Sequence, residues 1–353
     1  MKSIDKKANP ERERLIREPV LIREENDEDT VVNLSLRPVC LHDFVGQEKI
    51  KESLAISIAA AKSRGDPLEH AIFSGPPGLG KTTLAHIIAH EMGTKVTVTS
   101  GPAIERAGDL IGILTNLDVG DILFIDEIHR MSKVVEEFLY PAMEDYKIDF
   151  IIDKGPYAKT INFNLKPFTL IGATTRSGLL TSALRSRFGI HYHLDFYPWP
   201  ELVQIILNSA RSLQFAIDSE TAALIAQRAR GTPRIANRLL RRVRDYTQVK
   251  NKGVLTPDIA QAALTLQGID ALGLDDIDRR VLVTIIDMYH GGPVGIESLA
   301  ATLNEEADTI VDVVEPYLLK SGLLKRGPRG RQATEKAYAH CGRAGMPRAK
   351  ELF

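Results

Sequence analysis

Residues 75–82 read Gly-Pro-Pro-Gly-Leu-Gly-Lys-Thr: a glycine, four residues, then Gly-Lys-Thr. This spacing is that of a loop that cradles phosphate. The apolar run at 70–74 predicts a short buried strand before the loop. Leu84, Ala85, Ile87 and Ile88 predict a helix over 82–91 after it. A strand, a glycine-rich turn and a helix N-terminus aim several backbone N–H groups at one point, where a triphosphate fits. Lys81 would reach the β- and γ-phosphates and the Thr82 hydroxyl would hold Mg²⁺. Gly75, Gly78 and Gly80 let the backbone curl without a Cβ clash.

The expected fold class is α/β. Strands at 71–74, 95–99, 121–125 and 169–173 alternate with helical patterns, which predicts a parallel sheet covered on both faces. A chain of 353 residues with 44% hydrophobic content supports about two or three cores. Residues 1–33 mix charges too densely to offset ordering entropy and read as a mobile arm. Residues 34–198 form the α/β domain, 199–272 a helical bundle, and 273–353 a further helical domain closing in a basic turn. The net charge of −1 excludes a polybasic nucleic-acid coat, so any DNA contact would have to come from local patches. Cys40 and Cys341, the two cysteines, have no metal-ligand spacing and form no disulfide framework. No signal peptide and no span-length apolar run are visible, so a soluble cytoplasmic protein is expected.

The apolar strand 121–125 runs into Asp126 and Glu127. Open α/β sheets bind ligands at the C-terminal ends of their strands. There Asp126 would orient Mg²⁺ through its water shell and Glu127 would act as general base on the attacking water. The next strand ends in Thr174-Thr175-Arg176, and a threonine hydroxyl would sense the γ-phosphate or the water, Thr175 as first choice and Thr174 as second. Arg185 and Arg187 follow a short helical segment. An arginine set in trans on a neighbour's γ-phosphate stabilises transition-state charge. Thr232 and Pro233 open a helix as N-cap and first residue, which puts Arg234 in its first turn, where it could bring the bundle onto the phosphates. Arg238 and Arg241 read as a solvated face.

The strings at 75–83, 123–130 (LFIDEIHR), 140–146 (YPAMEDY), 167–176 (PFTLIGATTR), 185–189 and 230–245 (RGTPRIANRLLRRVRD) carry a resemblance. In this order they resemble the RuvB family of AAA+ ATPases, the bacterial ring motors of Holliday-junction branch migration, over about 36–340. The resemblance implies an AAA+ P-loop domain, a helical lid and a C-terminal winged helix. It implies ATP and Mg²⁺ as cofactors, a homo-hexameric ring on duplex or four-way DNA, RuvA and RuvC as partners, and a role in homologous recombination and repair. Leu36, Arg37 and Tyr197 would line the adenine end. Lys81, Thr82 and Thr83 would hold phosphate and Mg²⁺. Glu144, Asp145 and Tyr146 would also touch nucleotide. Arg187 would be the finger entering the next subunit's site, and Arg234 a second sensor.

Two alternating segments, 148–153 and 160–164, flank Lys154-Gly155-Pro156-Tyr157 and predict a β-hairpin. Ile148, Phe150, Ile152 and Ile161 lack an obvious core, and exposed apolar side chains mark interaction sites. In the family this hairpin docks on RuvA; the pattern alone equally allows a hairpin folded on its own domain. Toward the C-terminus, helices at 296–303 and 308–320 and a wing at 323–333 predict a winged helix. The second helix carries Asp308, Asp312 and Glu315, which phosphates would repel. The wing carries Lys325, Arg326, Arg329 and Arg331. A basic turn of this kind is often only solvated surface, and it is the family resemblance that implies DNA contact here, through phosphates, which gives affinity without sequence information. A clamp loader or an ATP-switched DNA regulator would share the phosphate loop, but neither explains the winged helix together with Glu127 and Arg187. An unfoldase lacks support: no peptidase motif or aromatic pore loop is seen.

Overall fold

A computed structural model describes residues 36–151 and 160–343. The charged arm expected at 1–33 lies outside the described residues. A helix, α1 (Glu48–Arg64), leads into a five-stranded sheet. Its strands are β1 (Ala71–Ser74), β2 (Val96–Ser100), β3 (Ile122–Asp126), β6 (Thr169–Thr174) and β7 (Ile190–His193), in the order β2-β3-β6-β1-β7. Every pairing is parallel. Helices α2 (Lys81–Met92), α3 (Ala107–Thr115), α4 (Lys133–Glu144) and the short α5 (Ser182–Arg185) make the crossovers.

Strand alternation builds two cores. Ala71, Phe73, Ile122, Phe124, Ile171 and Ala173 face the layer of α1 and α2, and Ile72, Leu123, Ile125 and Leu170 face that of α3 and α4. Apolar residues at both parities are what a strand covered on both faces needs. Because β6 lies between β1 and β3, its C-terminal end sits between the turn that follows β1 and the carboxylates that end β3.

A hairpin of β4 (Lys147–Ile151) and β5 (Thr160–Asn164) leaves this domain, with Ile148 opposite Phe163 and Phe150 opposite Ile161. Ile148 does not protrude: it is fully buried among Leu165, Phe168 and Met143. The hairpin base is thus part of the domain core, and Ile148 cannot be a docking residue. Ile161 is exposed, while Ile152 and the turn at 153–159 lie outside the described residues.

The lid comprises α6 (Trp199–Ser212), α7 (Ser219–Gln227), α8 (Pro233–Lys250) and α9 (Pro257–Leu266). Asp218 and Thr256 cap α7 and α9 by accepting the N–H groups of Thr221 and Ile259. Thr232 occupies the N-cap position of α8, yet its hydroxyl donates to the Ala229 carbonyl instead of accepting from the helix. Leu202, Ile206, Leu239 and Leu240 of the lid join the same core as α1 and α2. A third core holds the winged helix: α10 (Asp276–Asp287), α11 (Ile296–Leu303), a continuous helical stretch α12 (307–320) with one π-turn, the wing strands β8 (Leu324–Gly327) and β9 (Gly330–Ala333), and α13 (Glu335–His340).

Candidate active site

The phosphate loop is held in shape by its neighbours. Gly75 has φ +134°, and a Cβ there would lie 2.4 Å from the Leu194 carbonyl oxygen. Gly78 has φ +79°, and its Cβ would fall 2.9 Å from Cβ of Arg234. The lid therefore rests on the loop: the Arg234 N–H donates to the Gly78 carbonyl at 3.3 Å. Phe44 packs on Gly80, and Gly46 leaves room for the buried Tyr197, whose hydroxyl donates to the Leu79 carbonyl. Lys81 is buried at the start of α2 and donates to the carbonyls of Gly75 and Pro76, at 2.8 and 2.9 Å. Burial pushes its ammonium below the ordinary range, while Asp126 and Glu127 favour the charged form. Thr82 and Thr83 sit in the first turn of the same helix, half-buried. In the middle of α2, burial and then the Arg37 charge push the His86 imidazole below its ordinary range.

The carboxylates arrive from β3. Asp126 accepts the Glu127 N–H at 2.9 Å, and Glu127 has a left-handed backbone, φ 46°. Glu127 Oε2 accepts the Thr175 hydroxyl at 3.2 Å and faces His129 Nδ1, also at 3.2 Å. Thr174, by contrast, is fully buried, with its hydroxyl 2.8 Å from His129 Nδ1. Of the two threonines, Thr175 is the one aimed at the carboxylate. The His129 ring gained no role from the sequence; its place three residues after the acidic pair's first member, on a one-turn 3₁₀ segment, was the available signal.

Arg187 lies just before β7, whose first residue is level with Ala71 at the start of β1. The loop follows the other end of β1. Four strand residues, about 13 Å, thus separate Arg187 from the edge that carries its own phosphate loop. The Arg187 guanidinium stacks 4.2 Å from the Tyr140 ring centroid and pairs with Glu144 at 3.2 Å. Glu144, Asp145 and Tyr146 share this edge, where His70 Nε2 meets the Met143 carbonyl. The structure brings Glu144 to Arg187, while Tyr146 packs against His70 and Phe168.

In the winged helix, Lys325, Arg326 and Arg329 are exposed on the wing. Arg331 is not. It is buried and forms a two-pronged ion pair with Glu315, itself 1% exposed. Strand alternation turns Arg331 inward with Ala333, so it serves the domain's interior and cannot reach DNA. Asp308 and Asp312 also have partners: Arg176, at the end of β6, binds both oxygens of Asp312 at 2.6 and 2.8 Å and Asp308 at 2.8 Å.

A P-loop on a parallel sheet, a helical lid seated on that loop and an attached winged helix define an ATPase of the AAA+ class with a DNA-binding type of appendage. Residues 36–194 match the family model of the Holliday junction DNA helicase RuvB P-loop domain, 197–270 the RuvB AAA lid domain, and 271–342 the RuvB C-terminal winged helix domain. The chain belongs to the RuvB family. It is 58% identical over 321 residues to the Holliday junction branch migration complex subunit RuvB of Desulfosudis oleivorans, covering 91% of this chain and 94% of that one. The solved Thermotoga maritima RuvB Holliday junction branch migration motor superposes with TM-score 0.81 at 51% identity, covering 88% of this chain and 99% of that one. A mutant of the same protein gives TM-score 0.82 at 52% identity, covering 87% and 98%.

Proposed function

We propose that this chain is an ATP-driven motor that moves duplex DNA and, with RuvA, migrates the branch point of Holliday junctions. The reading rests on three RuvB models matching end to end. The observation that carries the mechanism is the division of the site between two edges of one sheet. Lys81, Glu127 and Thr175 occupy one edge and Arg187 the other.

Such a site is complete only between subunits, which suits a closed ring, and six copies is the number that membership of the RuvB family implies. Leu36, Arg37 and Tyr197 bind the adenine end. Lys81, Thr83 and the N–H groups around Gly78 and Gly80 bind the phosphates. Mg²⁺ supplies charge neutralisation on those phosphates, and the Thr82 hydroxyl and Asp126, the latter through water, would hold it. The donor set fits: one hydroxyl and one carboxylate beside phosphate oxygens suit Mg²⁺. Glu127 takes the proton of the attacking water, Thr175 orients that water, and a neighbour's Arg187 stabilises the charge that develops. Glu144, Asp145 and Tyr146 accompany Arg187 toward that neighbour. Arg234 reports loop occupancy to the lid through its contact with Gly78. Lys325, Arg326 and Arg329 grip phosphates without reading bases. Phe150 and Ile161 on the hairpin meet RuvA, RuvC acts on the same junction, and the work takes place in the cytoplasm. No described helix is long and apolar enough to cross a membrane.

The test is migration of a synthetic four-way junction with ATP, with and without RuvA. ATP-dependent migration stimulated by RuvA is expected. ATP hydrolysis with no junction movement under either condition would instead indicate a loader or switch.

A further inference from the structure

The catalytic carboxylate and the winged-helix domain are joined by an unbroken series of polar contacts. Glu127 Oε2 accepts from the Thr175 hydroxyl at 3.2 Å and from the Thr175 N–H at 3.4 Å, and it meets His129 Nδ1 at 3.2 Å. The same ring nitrogen is 2.8 Å from the Thr174 hydroxyl, whose oxygen accepts the Arg176 N–H at 3.0 Å. The Arg176 guanidinium then forks onto Asp312 and reaches Asp308, on α12 of the winged helix, with Arg130 adding a second cation 3.7 Å from Asp308.

Each link is in a position to matter. The His129 side chain is 4% exposed and those of Arg176 and Asp312 about a quarter exposed, so their contacts are partly shielded from solvent screening, whereas Asp308 and Arg130 are about half exposed and their pair is the weaker part of the series. A bidentate arginine–carboxylate pair fixes geometry as well as distance. A carboxylate oxygen that accepts two hydrogen bonds is a weaker base, because they stabilise its charged form, and Thr175 gives Glu127 Oε2 two, from its hydroxyl and its N–H. The same two bonds fix the direction in which the other carboxylate oxygen faces.

We infer that His129, Thr174 and Arg176 are positioning residues through which the winged-helix domain, docked by Asp308 and Asp312, holds Glu127 on Thr175 in an idle state. Movement of the winged helix away from Arg176 frees the end of β6 and releases the carboxylate, so that the DNA-binding domain sets the hydrolysis rate. This rests on the reading of Glu127 as general base.

The test uses the full chain without DNA and measures steady-state ATP turnover. Asp308→Asn combined with Asp312→Asn keeps the shape of both side chains and removes their charge. Turnover is expected to rise about five-fold or more, with the KM for ATP unchanged, because the coupling acts on the chemical step and not on nucleotide binding. In a His129→Ala background, or His129→Asn where alanine loses turnover, the same pair of changes should shift turnover by less than about two-fold. Unchanged or lower turnover in the doubly substituted chain overturns the inference, as does a full rise that persists without His129. Glu127→Gln measured in parallel separates the two claims: normal turnover there refutes the base assignment itself, whatever the aspartates do.

Discussion

Replacing Arg331 should damage the winged helix and spare its affinity for phosphate, the reverse of what its place in a basic wing suggests. Arg331 and Glu315 are both almost wholly buried and answer each other's charge. Among the described residues, Arg331→Ala leaves Glu315 with the exposed Arg326, 3.6 Å away, as its one remaining ion-pair partner. Breaking one side of a buried pair costs about 3–5 kcal/mol. In a domain of about 70 residues each kcal/mol lowers the melting temperature by about 4–8 °C, so a drop of at least about 12 °C is expected for that domain. Thermal unfolding of the full chain, followed by limited proteolysis that reports cleavage within 271–342, measures it. Arg331→Met with Glu315→Leu should recover most of the loss, since apolar residues of similar volume can replace a buried pair without penalty. The partner experiment is Arg329→Ala. It should leave melting within about 1 °C but reduce the slope of log K against log salt by about 0.9, the contribution of one phosphate contact. If Arg331→Ala melts like the parent chain while flattening the salt dependence, the ion pair is not structural and the argument fails.

Arg187→Ala should abolish ATP turnover, and so should Lys81→Ala. Mixed in one preparation, the two should regain part of the activity, because some interfaces then join an intact loop to an intact finger. No recovery would place the finger within its own chain. His70 should make the P-loop domain sensitive to acid. Its Nδ1 accepts the Leu170 N–H at 2.8 Å, so the ring is neutral, and burial holds its pKa below 6.5. A base whose pKa is lowered by folding gives stability that is present above the unfolded value and is lost as pH falls below about 6.5 toward the folded one. Urea midpoints between pH 7.5 and 5 should fall less in His70→Gln than in the parent chain; equal slopes would remove His70 as the cause.

What could be read early was local. The turn at 75–82 needs glycine at positive φ and a lysine and threonine at fixed offsets, and all of these constraints act within eight neighbouring residues. The strands were readable for the same reason, as apolar at both parities and ended by punctuating acids or threonines. Their ends differ from expectation by a residue because ladder pairing carries β2 on to Ser100 and β3 on to Asp126. Arg331 stands among wing cations that do face solvent, and Ile148 belongs to the same hairpin as the exposed Ile161. Only the parity of their strands, with Ile148 between exposed Lys147 and Asp149, separates them. The threonine choice needed the structure too. Adjacent strand residues face opposite ways, and sequence does not say which way the carboxylate lies.

The order of motifs along the chain determined the family and with it the expected chemistry: a loop for phosphate, an acid to polarise water, a threonine and an arginine as sensors, and an arginine for a neighbour's transition state. Each depends on backbone conformations and side-chain types set by near neighbours. The tertiary structure alone decided who meets whom. It put Arg187 at the sheet edge away from its own loop, because a parallel strand must begin where its neighbour begins. It joined Arg176 to Asp312 across 136 residues, and gave the acids of α12 a cation of the ATPase domain in place of a repelled phosphate. Side chains so far apart in the chain acquire partners only through packing, since their encounter is fixed by topology and by the cost of leaving a charge partly buried without an opposite one.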